Sequence, residues 1–381
     1  MQLTLCSSAA LRQLRALRCS SSRDCTLRRC DLRNPDPSPR TRWTWGLLRD
    51  LSLLAPLDSG EIRSVAVSKQ ECRLRMRGVS NRAFSCDVPA GAFVDLGEGI
   101  AISSPELLFV ELSQELPLPN RLMLGLELCG GFSLAPDGAE GGATAMGVAP
   151  VTSVARLSAF VDACEGLRGR KRARRALRLI ADNAWSPMEA LVAAMLALPL
   201  EEGGYGLGRC LLNERHETPE PLKATTACAS RVPDIMIPDT GVGFNYDGYG
   251  HLDLASIVEA TERLCADPGS GAADRQLRAR VQAVREKAVD DMRRNRELAA
   301  QGLTVFPVVK EDVYSEGGLD AVVAQAVAAL EAHTGKRLVA QREALASHFA
   351  MKKRQELIWS LAPGEDRTLP DYGFDDEFIR L

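Results

Sequence analysis

Two short apolar runs constrain this chain most: Val232-Pro-Asp-Ile-Met-Ile-Pro238 and Gly243-Phe-Asn-Tyr-Asp-Gly-Tyr-Gly-His251. Each is too short for a helix and is punctuated by Pro or Gly, so together they predict two buried strands joined by a turn. Asp234 opens the first run; Asn245 and Asp247 stand on the second. Adjacent strands can bring such side chains together, and a hard cation such as magnesium needs oxygen ligands on rigid elements. Taken singly, each residue also has a plain reading. Asp234 after a proline is a turn former, Asp247-Gly248 is a hairpin signal, and His251 is a polar group that any core can satisfy.

The segments C-terminal to this pair set the fold class. Leu254 to Gly302 reads as helix interrupted at Asp267-Pro-Gly-Ser-Gly271, and Thr304-Val-Phe-Pro-Val-Val309 as a further buried strand. Leu319 to His333 carries Val322, Val323, Ala326, Val327 and Leu330 at helical spacing. Strand, strand, long helix, strand, helix is an α/β order. Lys287 on the long helix and His251 are candidates for proton transfer or charge stabilisation.

Upstream, Ile62 to Val67, Cys86 to Leu96 and Ile100 to Ile102 predict short strands. Ser104-Pro105, Thr152-Ser153 and Ser186-Pro187 each mark a helix start. Glu189 falls in the first turn of the last of these. It reads either as a partner for the positive helix end or as a site residue at the edge of the core. Gly203-Gly-Tyr-Gly-Leu-Gly208 has glycines at dinucleotide-like spacing, but it follows a helix and opens none, which excludes that reading.

The net charge of -3 over 381 residues gives no global signature of nucleic-acid binding, so any basic surface must be local. The strongest basic cluster is Arg168-Gly-Arg-Lys-Arg-Ala-Arg-Arg-Ala-Leu-Arg178, in which Arg170, Arg174 and Arg178 share a helix face. It is either a solvated face or a ridge that follows DNA phosphates through Arg168, Arg170, Lys171, Arg174, Arg175 and Arg178. Residues 1–50 are arginine-rich and pass through Asn34-Pro-Asp-Pro-Ser-Pro39, which predicts a poorly ordered basic arm. The eleven cysteines include no C-x-x-C pair and no zinc spacing, as expected of reduced thiols in a cytoplasmic protein. No run reaches the ~18 apolar residues of a membrane span, and the first residues lack an uninterrupted apolar leader.

One further pattern joins these pieces. Ser186-Pro-Met-Glu189, Pro233-Asp234, Phe244-Asn-Tyr-Asp-Gly248 with His251, Asp290-Asp-Met-Arg-Arg-Asn-Arg-Glu-Leu298, Gly302 and Val305-Phe-Pro-Val308 occur one after another in order. In that order the stretch from about Ser186 to Val309 resembles the very-short-patch-repair branch of the PD-(D/E)XK nuclease superfamily. The resemblance implies a helix-flanked mixed sheet of restriction-endonuclease-like type, preceded by a smaller α+β region. It also implies magnesium held by Glu189, Asp234, Asn245 and Asp247, with Asp234, Asp247, Lys287 and His251 as catalytic residues acting on DNA. Upstream, Ser103-Ser-Pro-Glu-Leu107, Gly130-Gly131 and the arginine-rich helix resemble bacterial proteins compared with abortive-infection antitoxin-type regulators.

Two departures bear on activity. Asn245 stands where the family places a metal-binding Glu; an amide oxygen brings no charge, so ion affinity should fall. The helices over 253–301 exceed the usual connection and offer a surface for a protein partner. Two functions stay open: a magnesium-dependent endonuclease, or a DNA-binding regulator that keeps the fold without cutting. The expected division is 1–50 arm, 51–165 small α+β domain, 166–340 α/β domain, and 341–381 C-terminal helix and acidic tail.

Overall fold

The N-terminal residues, expected to be a loose arm, are built into a sheet. β1 (Leu3–Leu5) is an inner strand buried along its length, and α1 (Ser7–Ser20) comes directly after it. The computed structural model describes residues 2–20, 26–32, 35–39, 41–44, 47–48, 53–55, 63–84, 87–137, 144–226, 228–247, 254–266 and 271–362. These fall into two units that divide between Cys210 and Leu211, rather than near residue 165, with Leu361 and Ala362 belonging again to the first.

In the first unit, β2 (Arg29–Cys30), β3 (Arg63–Val67), β4 (Val79–Ala83), β5 (Phe93–Gly97) and β6 (Ile100–Ser103) join β1 in the order β2-β5-β6-β1-β3-β4. β1 runs parallel to β6 and antiparallel to β3, so the sheet is mixed. Helices α2 (Pro105–Ser113) and α3 (Leu118–Leu128), the small ribbon β7 (Phe132–Ser133) with β8 (Ala145–Met146), and helices α4 (Val154–Ala163), α5 (Arg170–Leu177) and α6 (Pro187–Ala197) complete it.

The predicted caps form. Ser104 Oγ accepts from the Leu107 N–H, Ser153 Oγ from Arg156 and Ser186 Oγ from Glu189. The arginines of α1 turn inward. Arg18 is 1% exposed and donates to the carbonyls of Glu127, Gly130 and Ala149 at 2.9, 2.8 and 3.1 Å, closing the C-terminal end of α3. Arg15 forks onto both carboxylate oxygens of Glu127 at 2.9 and 2.7 Å. Those partners lie more than a hundred residues away in sequence, which is why local composition reads as a solvated arm.

The second unit begins with β9 (Leu211–Leu212) and a ribbon of β10 (His216–Glu217) with β11 (Ser230–Arg231). The two predicted strands then appear as β12 (Ile235–Ile237) and β13 (Val242–Asp247), an antiparallel pair turning at Asp239 and Gly241, both at positive φ. Helices α7 (Leu254–Ala266) and α8 (Gly271–Ala300) lead to β14 (Thr304–Val309), which lies parallel to β13 with Asn245 opposite Pro307 and Asp247 opposite Val309. The sheet order is β14-β13-β12-β9, and this βαβ crossover gives the α/β class that the element order predicts.

After β14 come α9 (Lys310–Tyr314), α10 (Gly318–Thr334), α11 (Val339–Ala346) and α12 (His348–Leu361). Val323, Ala326, Val327 and Leu330 on α10 are buried, as their spacing predicts, whereas Val322 is half-buried and Leu319 takes the further buried place. Among the described residues no helix is long and apolar enough to cross a membrane.

Candidate functional site

The site is built on the hairpin of β12 and β13. Pro233 delays the ladder, so Asp234 sits just ahead of β12 and faces the end of β13. Its N–H donates to Asn245 Oδ1 at 3.0 Å, and its Oδ2 accepts from the Tyr246 N–H at 2.7 Å. The two side chains thus clasp neighbouring strands reciprocally. This fixes the orientation of the Asn245 amide, because the Asp234 N–H requires an oxygen opposite it. The amide nitrogen faces the other way. Asn245 is 1% exposed, and its Nδ2 has no hydrogen-bond partner among the described residues.

Asp247 lies two residues on, so it projects from the same face of β13 as Asn245. Its Oδ1 meets Arg294 Nη2 at 3.2 Å. Arg294 also lies 3.3 Å from Asp291 Oδ1, and Lys287 Nζ lies 3.2 Å from that same oxygen. Lys287, Asp291 and Arg294 are spaced by four and then three residues on α8, so they share one face. The result is a chain of two carboxylates and two cations, Asp247–Arg294–Asp291–Lys287, that is neutral as a whole. Arg294 Nε, like Asn245 Nδ2, is buried without a partner among the described residues.

The same helix is pinned one turn further on. Arg231 Nε donates to Glu297 Oε2 at 2.7 Å, with both side chains 8% exposed, and Arg231 also reaches Asp290. Burial works against the Arg231 guanidinium, but the hydrogen bond to Glu297 and the charges of Asp290 and Glu297 prevail and raise its pKa. Asp291, Arg294, Arg231 and Glu297 were not among the predicted site residues. The aspartate–arginine pattern of 290–298 held the signal for the first two. No local feature marks Arg231.

The remaining predicted residues fall elsewhere. Glu189 belongs to the first unit, where it caps the start of its own helix: its Oε2 accepts from the Trp185 N–H at 3.0 Å and its Oε1 from Ser186 Oγ at 3.1 Å. His251 lies outside the described residues.

The basic helix forms as α5, and much of its charge is used within its own unit. Arg170 donates to the carbonyls of Val161 and Asp162 at the end of α4, Arg172 to that of Gln114, Arg174 pairs with Asp162 and Arg175 with Glu202. The side chains of Arg168, Lys171 and Arg178 are exposed and make no hydrogen bond or ion pair with a described residue. Gly169 sets the helix in place: its φ is +94°, and a Cβ there would collide with the Val110 carbonyl oxygen.

Two of the oxygens that a magnesium ion would draw on already have partners. Asn245 Oδ1 serves the Asp234 N–H, and Asp247 Oδ1 serves Arg294. Among the described residues no three His, Cys, Asp or Glu side chains gather as a metal site. No family model matches the chain, and neither a curated protein nor a solved structure matches it.

Proposed function

We propose that this protein binds DNA without cleaving it, and that its second unit is a restriction-endonuclease-like fold that has lost cleavage. The observation that carries this reading is the orientation of Asn245: where an ion would need an oxygen, the side chain presents an N–H donor. The neutral chain from Asp247 to Lys287 supports it as well, since Arg294 already supplies the positive charge that a metal would bring. DNA as the partner rests on the family resemblance of the second unit and, independently, on the exposed cations Arg168, Lys171 and Arg178 at and beside α5 in the first unit.

Fluorescence anisotropy of the full chain on duplex DNA across a salt series tests the reading. Affinity should fall steeply with salt and survive Asp234→Ala. The double variant Arg168→Gln with Arg178→Gln should flatten the log–log slope by roughly 2. Magnesium-dependent plasmid nicking that Asp234→Ala abolishes would restore the endonuclease reading. Absence of binding at low salt would remove DNA altogether.

A further inference from the structure

In the first unit, a hollow of about 500 Å³ is lined by Glu115, Arg121, Lys171, Arg172, Arg175 and Glu202. That volume lies within the range of roughly 300–1,000 Å³ common for small-ligand sites. The charges do not balance. Both carboxylates are engaged, Glu202 with Arg175 at 2.9 Å and Glu115 with Arg82 at 3.3 Å. Arg172 donates to the Gln114 carbonyl, and Lys171 has no partner among the described residues.

Arg121 is the telling residue. It is 7% exposed, donates Nη1 to the Arg172 carbonyl at 2.8 Å, and keeps a buried Nε without a partner among the described residues. Burial, then repulsion from Arg172 and Arg175, pushes its pKa down, with Glu202 offsetting little. A buried guanidinium among like charges is costly unless an anion answers it. The start of α3 adds to the same field: Leu116, Pro117 and Leu118 line the hollow, and the N-cap Pro117 gives the first turn no side-chain acceptor.

We propose that this hollow binds a phosphoryl group, supplied as free phosphate or a mononucleotide, or as the 5′-phosphate end of an oligonucleotide. A multivalent oxyanion matches the forked donors of Arg121 and Arg172 and neutralises Lys171 at once. The proposal does not rest on the DNA reading of the second unit, and phosphate binding here stands even where duplex binding fails.

Thermal unfolding of the full chain in sodium phosphate, against sodium chloride at matched ionic strength, is the test. Phosphate at about ten times its Kd should raise Tm by roughly 4 °C. Arg121→Gln should abolish the rise. Lys171→Gln, an exposed change that leaves folding intact, should at least halve it and carries the test should Arg121→Gln fail to fold. Equal stabilisation by chloride and phosphate, or an undiminished rise in Lys171→Gln, overturns the proposal. Titration with 5′-AMP and with an oligonucleotide, 5′-phosphorylated or not, separates the sources. Tighter binding of the phosphorylated oligonucleotide assigns a nucleic-acid end, and binding no tighter than that of 5′-AMP assigns a small ligand.

Discussion

The two sheets handle buried polar groups differently. Around the six-stranded sheet the buried carboxylates are saturated. Glu127 takes Arg15 on both oxygens and the Leu134 N–H besides, Glu106 takes Arg29 and Thr152, and Glu111 takes the Ser7 N–H and Ser103 Oγ. Around the four-stranded sheet, Asn245 Nδ2 and Arg294 Nε are buried donors without a partner among the described residues. Saturated groups hold a fold in place. An unspent buried donor in the native state is unusual enough to call for a partner. The first pattern explains architecture, and the second marks where this protein has something left to bind. The second pattern is not confined to that sheet: Thr4 Oγ1 on β1, Ser113 Oγ on α2 and Arg121 Nε on α3, all in the first unit, are likewise buried without a hydrogen-bond partner among the described residues.

The sharpest way to break the comparison is to remove a saturating group. Arg18→Met keeps the apolar stem but leaves the carbonyls of Glu127, Gly130 and Ala149 without their donor. The expected loss is about 4 kcal/mol, the desolvation cost of several buried acceptors. Urea unfolding monitored in the first unit measures it. A loss under about 1 kcal/mol would mean that water replaces the guanidinium easily, and the sheet is not pinned there.

Glu111 gives the next largest effect, with a pH signature. Burial is the main cause that raises its carboxyl to about 7, against Arg82 and the hydrogen bonds from Ser7 and Ser103, which lower it. The folded state therefore holds the proton more tightly than the unfolded chain, whose glutamate titrates near 4.5. Stability from this group is full below about 4.5, falls as pH rises to about 7, and then levels; the total is on the order of 3 kcal/mol. Glu111→Gln removes the titration. It should match the wild type at pH 4.5 and exceed its stability at pH 8. Parallel pH profiles for the two proteins would show that Glu111 stays ionised in the fold.

Much of this was legible in the sequence, and the rest was hidden for identifiable reasons. Ser104-Pro105 and Ser186-Pro187 announce helices because capping is local chemistry. The strands at 235–237, 242–247 and 304–309 were readable because short apolar runs between turn residues have few other outcomes. The N-terminal strand and helix were not, because Arg12, Arg15 and Arg18 find their partners at Asp137, Glu127 and Gly130. The arginines of α5 likewise looked like a free ridge because the carbonyls they cap belong to α4 and to the loop at Gln114. At Asn245 the residue was visible, but the direction of its amide depends on which backbone group faces it.

That direction yields the smallest effect and the most specific test. Asn245→Asp keeps an oxygen for the Asp234 N–H and replaces the unspent donor with a second oxygen. A new carboxylate then stands two residues from Asp247 on the same strand face. Without a cation the repulsion should cost about 1 kcal/mol at pH 7 and less at pH 5, where the new group is more readily protonated. Magnesium should recover that loss in the variant and leave the wild-type Tm unchanged, because only the variant offers oxygens on both sides of the clasp. Thermal unfolding with and without magnesium reads both halves. Equal stabilisation of the two proteins would show that the Asn245 donor is no barrier to an ion. The contrast between the saturated carboxylates of the first sheet and the unspent Asn245 donor of the second would then lose its functional meaning at this position.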